Sequence, residues 1–110
     1  MFVETKREGE APIKNHDWRD AFLKAAELLE QKGWCQGLTH NKAGEHCLLG
    51  AVYFSRFGRE APEGIVSSEK KWGEVFDLLK PYTGAYVADW NDTDGRTKDE
   101  VIAALRAAAG

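Results

Sequence analysis

Between Asn15 and Lys32 apolar side chains recur at Trp18, Phe22, Ala25 and Leu29, spaced by four, three and four residues, and Ala21, Ala26 and Leu28 widen the stripe into one face. This spacing predicts an amphipathic helix over 15–32. Asn15 or Asp17 offers the N-cap oxygen, while Lys32 and Gly33 close the far end with a favourable charge and a residue tolerant of positive φ. The segment from Trp34 to Gly44 holds Gly37 and Gly44 and reads as an ordered loop pinned by Trp34 and Leu38. A second helix is predicted over 45–57, with Leu48, Ala51, Val52 and Ser55 on one side and Cys47, Leu49, Tyr53, Phe54 and Phe57 broadening the buried surface. Gly50 inside it costs about 1 kcal/mol relative to Ala, which marks a place where another backbone passes close.

Gly58 to Gly64 is the clearest punctuation in the chain. Ser67 or Ser68 then caps a third helix over 68–80, through Trp72, Val75, Phe76 and Leu79, which Pro81 ends. The stretch from Tyr82 to Trp90 fits either a short helical turn or an extended piece. The last helix, over 97–109, opens on a capping box of Thr97 with Glu100 and carries Val101, Ile102, Leu105 and Ala108 as its stripe. No alternation of period two supports a sheet. The expected fold is therefore all-α, a small single-domain bundle of about four main helices with long ordered loops over 15–110. Residues 1–14, with Gly9, Pro12 and mixed charges, are expected to form an arm, partly extended or flexible.

The length of 110 residues suits one core. A formal net charge of -3 removes the broad attraction for phosphate backbones, so no nucleic-acid partner is expected. The N-terminal residues lack the apolar region of a secretory signal, and no apolar run approaches the roughly 18 residues that would cross a bilayer. Two cysteines are too few for a disulfide framework and suit a reducing compartment. The expected location is the cytoplasm, without a membrane partner.

Gly33-Trp34-x-Gln36-Gly37, then Cys47-Leu48-x-Gly50-Ala51, then Trp90-Asn91-Asp92-x-x-Gly95-Arg96-Thr97-x-x-Glu100-Val101-Ile102 together resemble a family of small actinobacterial and actinobacteriophage proteins of unknown function. The resemblance covers roughly residues 20–108, and its WND-x-x-GRT-x-x-EV ending is the most specific part. It implies a cytoplasmic helical domain, possible in a phage and then acting inside a bacterial host. It carries no activity, cofactor or catalytic residue to transfer.

Cys35, His40, His46 and Cys47 are residue types that zinc accepts, but His46 and Cys47 are adjacent and diverge by about 100° on a helix, whereas structural sites pair ligands two to five positions apart. On this reading Cys47 faces the core, His46 faces the loop or solvent, and no metal is bound. Cys35 with His40 or His46 is the one nucleophilic pair available, and no third orienting residue accompanies it. Setting Gly95 as the sixth position of a calcium loop places Trp90 first and Val101 twelfth, where an acid and a bidentate Glu are required. The connection between the second and third helices is too long for a helix-turn-helix, and the pairs Arg56/Arg59 and Lys70-Lys71 read as solvated faces.

What remains is structural. Trp90 is expected to be a buried staple, with Asn91, Asp92 and Asp94 shaping a turn, Gly95 at positive φ, and Arg96, Thr97 and Glu100 opening the last helix; Trp34 is expected to pin the preceding loop. The same residues could alternatively form an interaction loop. Four Trp, three Tyr and five Phe exceed what so small a core hides. The expected role is a non-catalytic, cofactor-free module that binds a protein partner, self-association included. The alternatives are a small Cys-His enzyme and a nucleic-acid-associated factor.

Overall fold

The computed structural model describes residues 15–62 and 69–110, with side chains at 18–62 and 72–110. The arm expected over 1–14 and the cap side chains of Asn15, Asp17, Ser67 and Ser68 lie outside these. The fold is all-α, with α1 Asn15–Lys32, α2 Leu48–Phe57, α3 Glu69–Thr83, α4 Val87–Asn91 and α5 Lys98–Ala109. Among the described residues there is no strand, only isolated bridges from Trp34 and His40 to His46. α1 packs against both α2 and α5, α3 against α5 and α4, and α4 touches α2. Phe22 and Leu29 of α1 meet Leu48 and Val52 of α2, Val75 and Leu79 of α3, and Val101 and Leu105 of α5 in one fully buried core. Each of these Leu and Val side chains contributes roughly 1.5–3 kcal/mol.

α1 and α5 follow the apolar spacing closely, because their signals are local. Thr97 Oγ1 accepts the Glu100 N–H at 3.2 Å, and the Glu100 carboxylate accepts the Thr97 N–H at 2.9 Å. No helix among the described residues is long and apolar enough to cross a membrane.

Several expectations change. α2 starts at Leu48 rather than at residue 45, because the backbone before it is committed sideways: Cys35 N–H bonds the His46 carbonyl, His46 N–H the Gly33 carbonyl and Cys47 N–H the Thr39 carbonyl. Cys47 is instead the N-cap, its Sγ accepting from Gly50 N–H at 3.2 Å. His46, on extended backbone, turns inward and is 3% exposed, not solvent-facing. α3 does not end at Pro81 but runs to Thr83. Proline in a last turn forfeits a single helical N–H, here the one to Asp77, while Thr83 Oγ1–H and Gly84 N–H satisfy the Leu79 and Lys80 carbonyls. Tyr82 to Trp90 resolves into the end of α3 and the short turn α4. Leu38 and Phe57, expected to anchor or broaden the core, are 60% and 46% exposed.

Gly50 is required by a close approach, as expected. A Cβ there would overlap the Thr39 carbonyl, whereas one on Gly73 in α3 would meet nothing within 4 Å. Gly50→Ala is therefore expected to lower stability by about 2–3 kcal/mol and Gly73→Ala to raise it by about 0.5–1 kcal/mol, read as opposite shifts of the urea midpoint.

Candidate functional site

The two ends of the sequence motif meet at Asn91, the last residue of α4, which is 2% exposed. Its Oδ1 accepts the Trp34 indole N–H at 2.7 Å and the Leu48 backbone N–H at 3.0 Å. Its Nδ2 donates to the Cys35 carbonyl at 3.3 Å and to Asp92 Oδ1 at 2.9 Å. Both lone pairs and both hydrogens of the carboxamide are thus used, and its orientation follows from chemistry, since an indole and a backbone N–H can only donate. Leu48 opens α2, so its amide is one of the four that a helix leaves without an internal partner. A residue 43 positions away caps it.

Around this centre the loop after α1 lies on the segment after α4. Gln36 Nε2 donates to the Asn91 and Thr93 carbonyls, both at 3.0 Å, and Gly37 N–H donates to Asp92 Oδ1 at 2.9 Å. Arg96 Nε–H bonds the Trp90 carbonyl at 2.9 Å, its guanidinium carbon stands 4.0 Å from the Trp90 ring centroid, and Nη1 lies 3.5 Å from Glu100 Oε1. Gly95 turns the chain at φ +86°. Trp34, Trp90, Asn91, Asp92, Gly95, Arg96, Thr97 and Glu100 therefore form one connected assembly. Trp90 is not the buried staple expected of it: half-buried, it lies under Arg96, and the buried position goes to Asn91. The Glu100 carboxyl is held below its ordinary value by the Thr97 N–H first and by Arg96 beside it.

The cysteines and histidines do not converge on a nucleophile. Cys35 Sγ contacts the Leu38 carbonyl at 3.6 Å, not an imidazole. Burial, and then the negative charge that Cys47, Glu45 and Asp92 can place nearby, push its thiol up to about 11. Burial also raises Cys47. His46 Nε2 lies 2.7 Å from Glu60 Oε1, which is 3.9 Å from His40 Nδ1, while Thr39 Oγ1 is 3.1 Å from that same nitrogen. His46 Nδ1 is buried and has no hydrogen-bond partner among the described residues. A tautomer with its hydrogen on Nε2 donates to Glu60 and leaves a lone pair on Nδ1. A metal-ligating Nε2 would instead require an acceptor for Nδ1–H. No group of three or more His, Cys, Asp or Glu among the described residues is arranged to hold a metal.

Two participants escape sequence reading. Glu60 sits in the Gly58–Gly64 punctuation with no pattern linking it to His46, and Gln36 shows itself only as part of the motif that carried the resemblance.

Residues 15–110 match a family described as a family of unknown function, DUF6197. The chain belongs to this family. The match begins with α1 and takes in every element of the assembly around Asn91. No curated protein and no solved structure matches the chain.

For this DUF6197 domain, Asn91→Ala strands the buried Leu48 amide and the half-buried Trp34 indole and is expected to cost about 3–4 kcal/mol. That exceeds Trp90→Ala, about 2 kcal/mol for a half-covered ring, and Thr97→Ala, about 1 kcal/mol for a lost cap. Chemical denaturation gives the order. The lowered Glu100 carboxyl adds stability that is present above its ordinary value of 4.5 and lost as pH falls through the folded value. Glu100→Gln should accordingly flatten the acid limb of the stability profile.

Proposed function

We propose that this DUF6197 member is a non-catalytic cytoplasmic module that binds a protein partner through apolar side chains its fold leaves uncovered. The observation that carries the reading is their exposure: Tyr86 is 75% exposed, and Leu23, Leu38, Phe57 and Tyr82 are each more than 40% exposed. Large apolar and aromatic groups at a surface are the usual anchors of an interface. The polar residues of the motif, by contrast, bond to one another and to the loop after α1. A Cys-His enzyme is the weaker reading, because the Cys35 thiol is raised and bonded to a carbonyl. A nucleic-acid factor is weaker still for a chain with net charge -3. On the resemblance to actinobacterial and phage proteins, the partner is a protein of the bacterial cell and the role accessory or regulatory; a second copy of the chain is the other partner the surface admits.

The test is capture from a bacterial lysate with the wild-type chain, Cys35→Ser and a Tyr82→Ser/Tyr86→Ser double variant. A protein retained by the first two and reduced at least tenfold on the third, with unchanged thermal stability, supports the reading. Equal capture by all three overturns it, as does a turnover that Cys35→Ser abolishes. In the same preparation iodoacetamide at neutral pH should label Cys35 far more slowly than an ordinary thiol, because a rise from 9.0 to about 11 lowers the thiolate fraction about a hundredfold.

A further inference from the structure

Residues 45–47 lie between two other segments. On one side Cys35 N–H bonds the His46 carbonyl at 3.0 Å and His46 N–H the Gly33 carbonyl at 3.2 Å, which pairs Trp34 with His46 in parallel. On the other, Asn41 N–H bonds the Glu45 carbonyl and Cys47 N–H the Thr39 carbonyl, which pairs His40 with His46 antiparallel. Residues paired across such bridges project to one face, and successive residues alternate between faces. The His40 and His46 rings accordingly share a face, their centroids 6.2 Å apart. Gly33 with Glu45, and Cys35 with Cys47, fall on the opposite face.

The first of these pairs shows how close the register brings its members: a β-carbon on Gly33 would lie 2.9 Å from Glu45 Cγ. Cys35 and Cys47 occupy the next matching positions. The spacing of bridged backbones sets their Cα atoms about 5 Å apart, inside the roughly 4.4–6.8 Å that a disulfide spans. Both are free thiols in the structure, Cys35 Sγ on the Leu38 carbonyl at 3.6 Å and Cys47 Sγ on Gly50 N–H at 3.2 Å. After burial, the largest cause of the raised Cys35 thiol is the charge that Cys47 can carry, ahead of Glu45 and Asp92, as two sulfurs on one face require.

We infer that Cys35 and Cys47 close into a reversible disulfide, a redox-sensitive latch between the loop after α1 and the N-cap of α2, by exchange with small-molecule disulfides. Cys35 acts first, because it is half-covered whereas Cys47 is buried. Its thiolate bonds to one sulfur of the small disulfide, whose S–S bond breaks and releases one small thiol. Cys47 Sγ then attacks Cys35 Sγ and displaces the second. The two cysteines give up two electrons and two protons, and the small disulfide carries them away as two thiols. With the Cys35 thiol raised to about 11 the first step is slow, so the latch answers a sustained change of thiol redox state. The bond fixes covalently the same junction that Asn91 holds by hydrogen bonds.

The test equilibrates the full chain with mixtures of reduced and oxidised glutathione, quenches with acid, and reads the products by intact mass and by mapping of unreduced peptides. A monomer lighter by two hydrogens, with residues 35 and 47 joined, should form, revert when reduced glutathione is added, and melt at a higher temperature than the reduced chain. The equilibrium constant for closure should be at least about tenfold larger in buffer than in urea, because the fold presents the two sulfurs to each other. Cys47→Ser, which keeps a capping oxygen, should instead hold glutathione on Cys35 as a persistent mixed disulfide. A wild-type chain left reduced in excess oxidised glutathione, a mixed disulfide that persists on wild-type Cys35, a product linking two chains, or closure no more favourable in buffer than in urea overturns the inference.

Discussion

One buried carboxamide holds three separate stretches of this chain in register. Asn91 ties the loop after α1, the first turn of α2 and the end of α4 through four hydrogen bonds, one of them to the buried Leu48 amide that its helix leaves without an acceptor. None of its partners is near it in sequence except Asp92. The start of α2 is consequently set by tertiary contacts: Asn91 and Cys47 supply acceptors for two of its free amides, and the lateral bonds at His46 and Cys47 stop the helix from extending backwards. The requirement for Gly50 follows, since the same arrangement brings the Thr39 backbone against the helix.

The parts of the fold legible in the sequence are those governed by neighbours three or four residues apart. α1 announces itself by its stripe, α5 by its stripe and capping box, and Gly50 by being a glycine inside a helical pattern. The misreadings share a different cause. Residues 45–47 have an acceptable helical pattern, yet their backbone groups bond to residues 33–41, which no local rule reveals. In Trp90-Asn91, hydrophobicity favours burying the indole. The amide wins the interior because it alone can meet two donors and two acceptors, and the indole is left beneath Arg96. Glu60 is a partner for His46 only because the loop after α2 folds back across fourteen residues of chain.

The motif that carried the family resemblance is thus accounted for by construction. Gln36 and Gly37 bond across to residues 91–93, Arg96 bonds back to the Trp90 carbonyl, Thr97 caps α5, and the cysteines near them serve as a cap and as a half-covered thiol. Among the side chains that face outward are the large apolar groups of Leu23, Leu38, Phe57, Tyr82 and Tyr86.

The claim that Asn91 locks these segments as a unit has a direct test in native-state hydrogen exchange. The account predicts that the Leu48 amide and the Trp34 indole N–H exchange with the same opening free energy, and that this equals the global stability from denaturation, because neither can open without releasing the other. A Trp34 indole N–H that exchanges through a small local opening, while the Leu48 amide remains protected to the global limit, would contradict it.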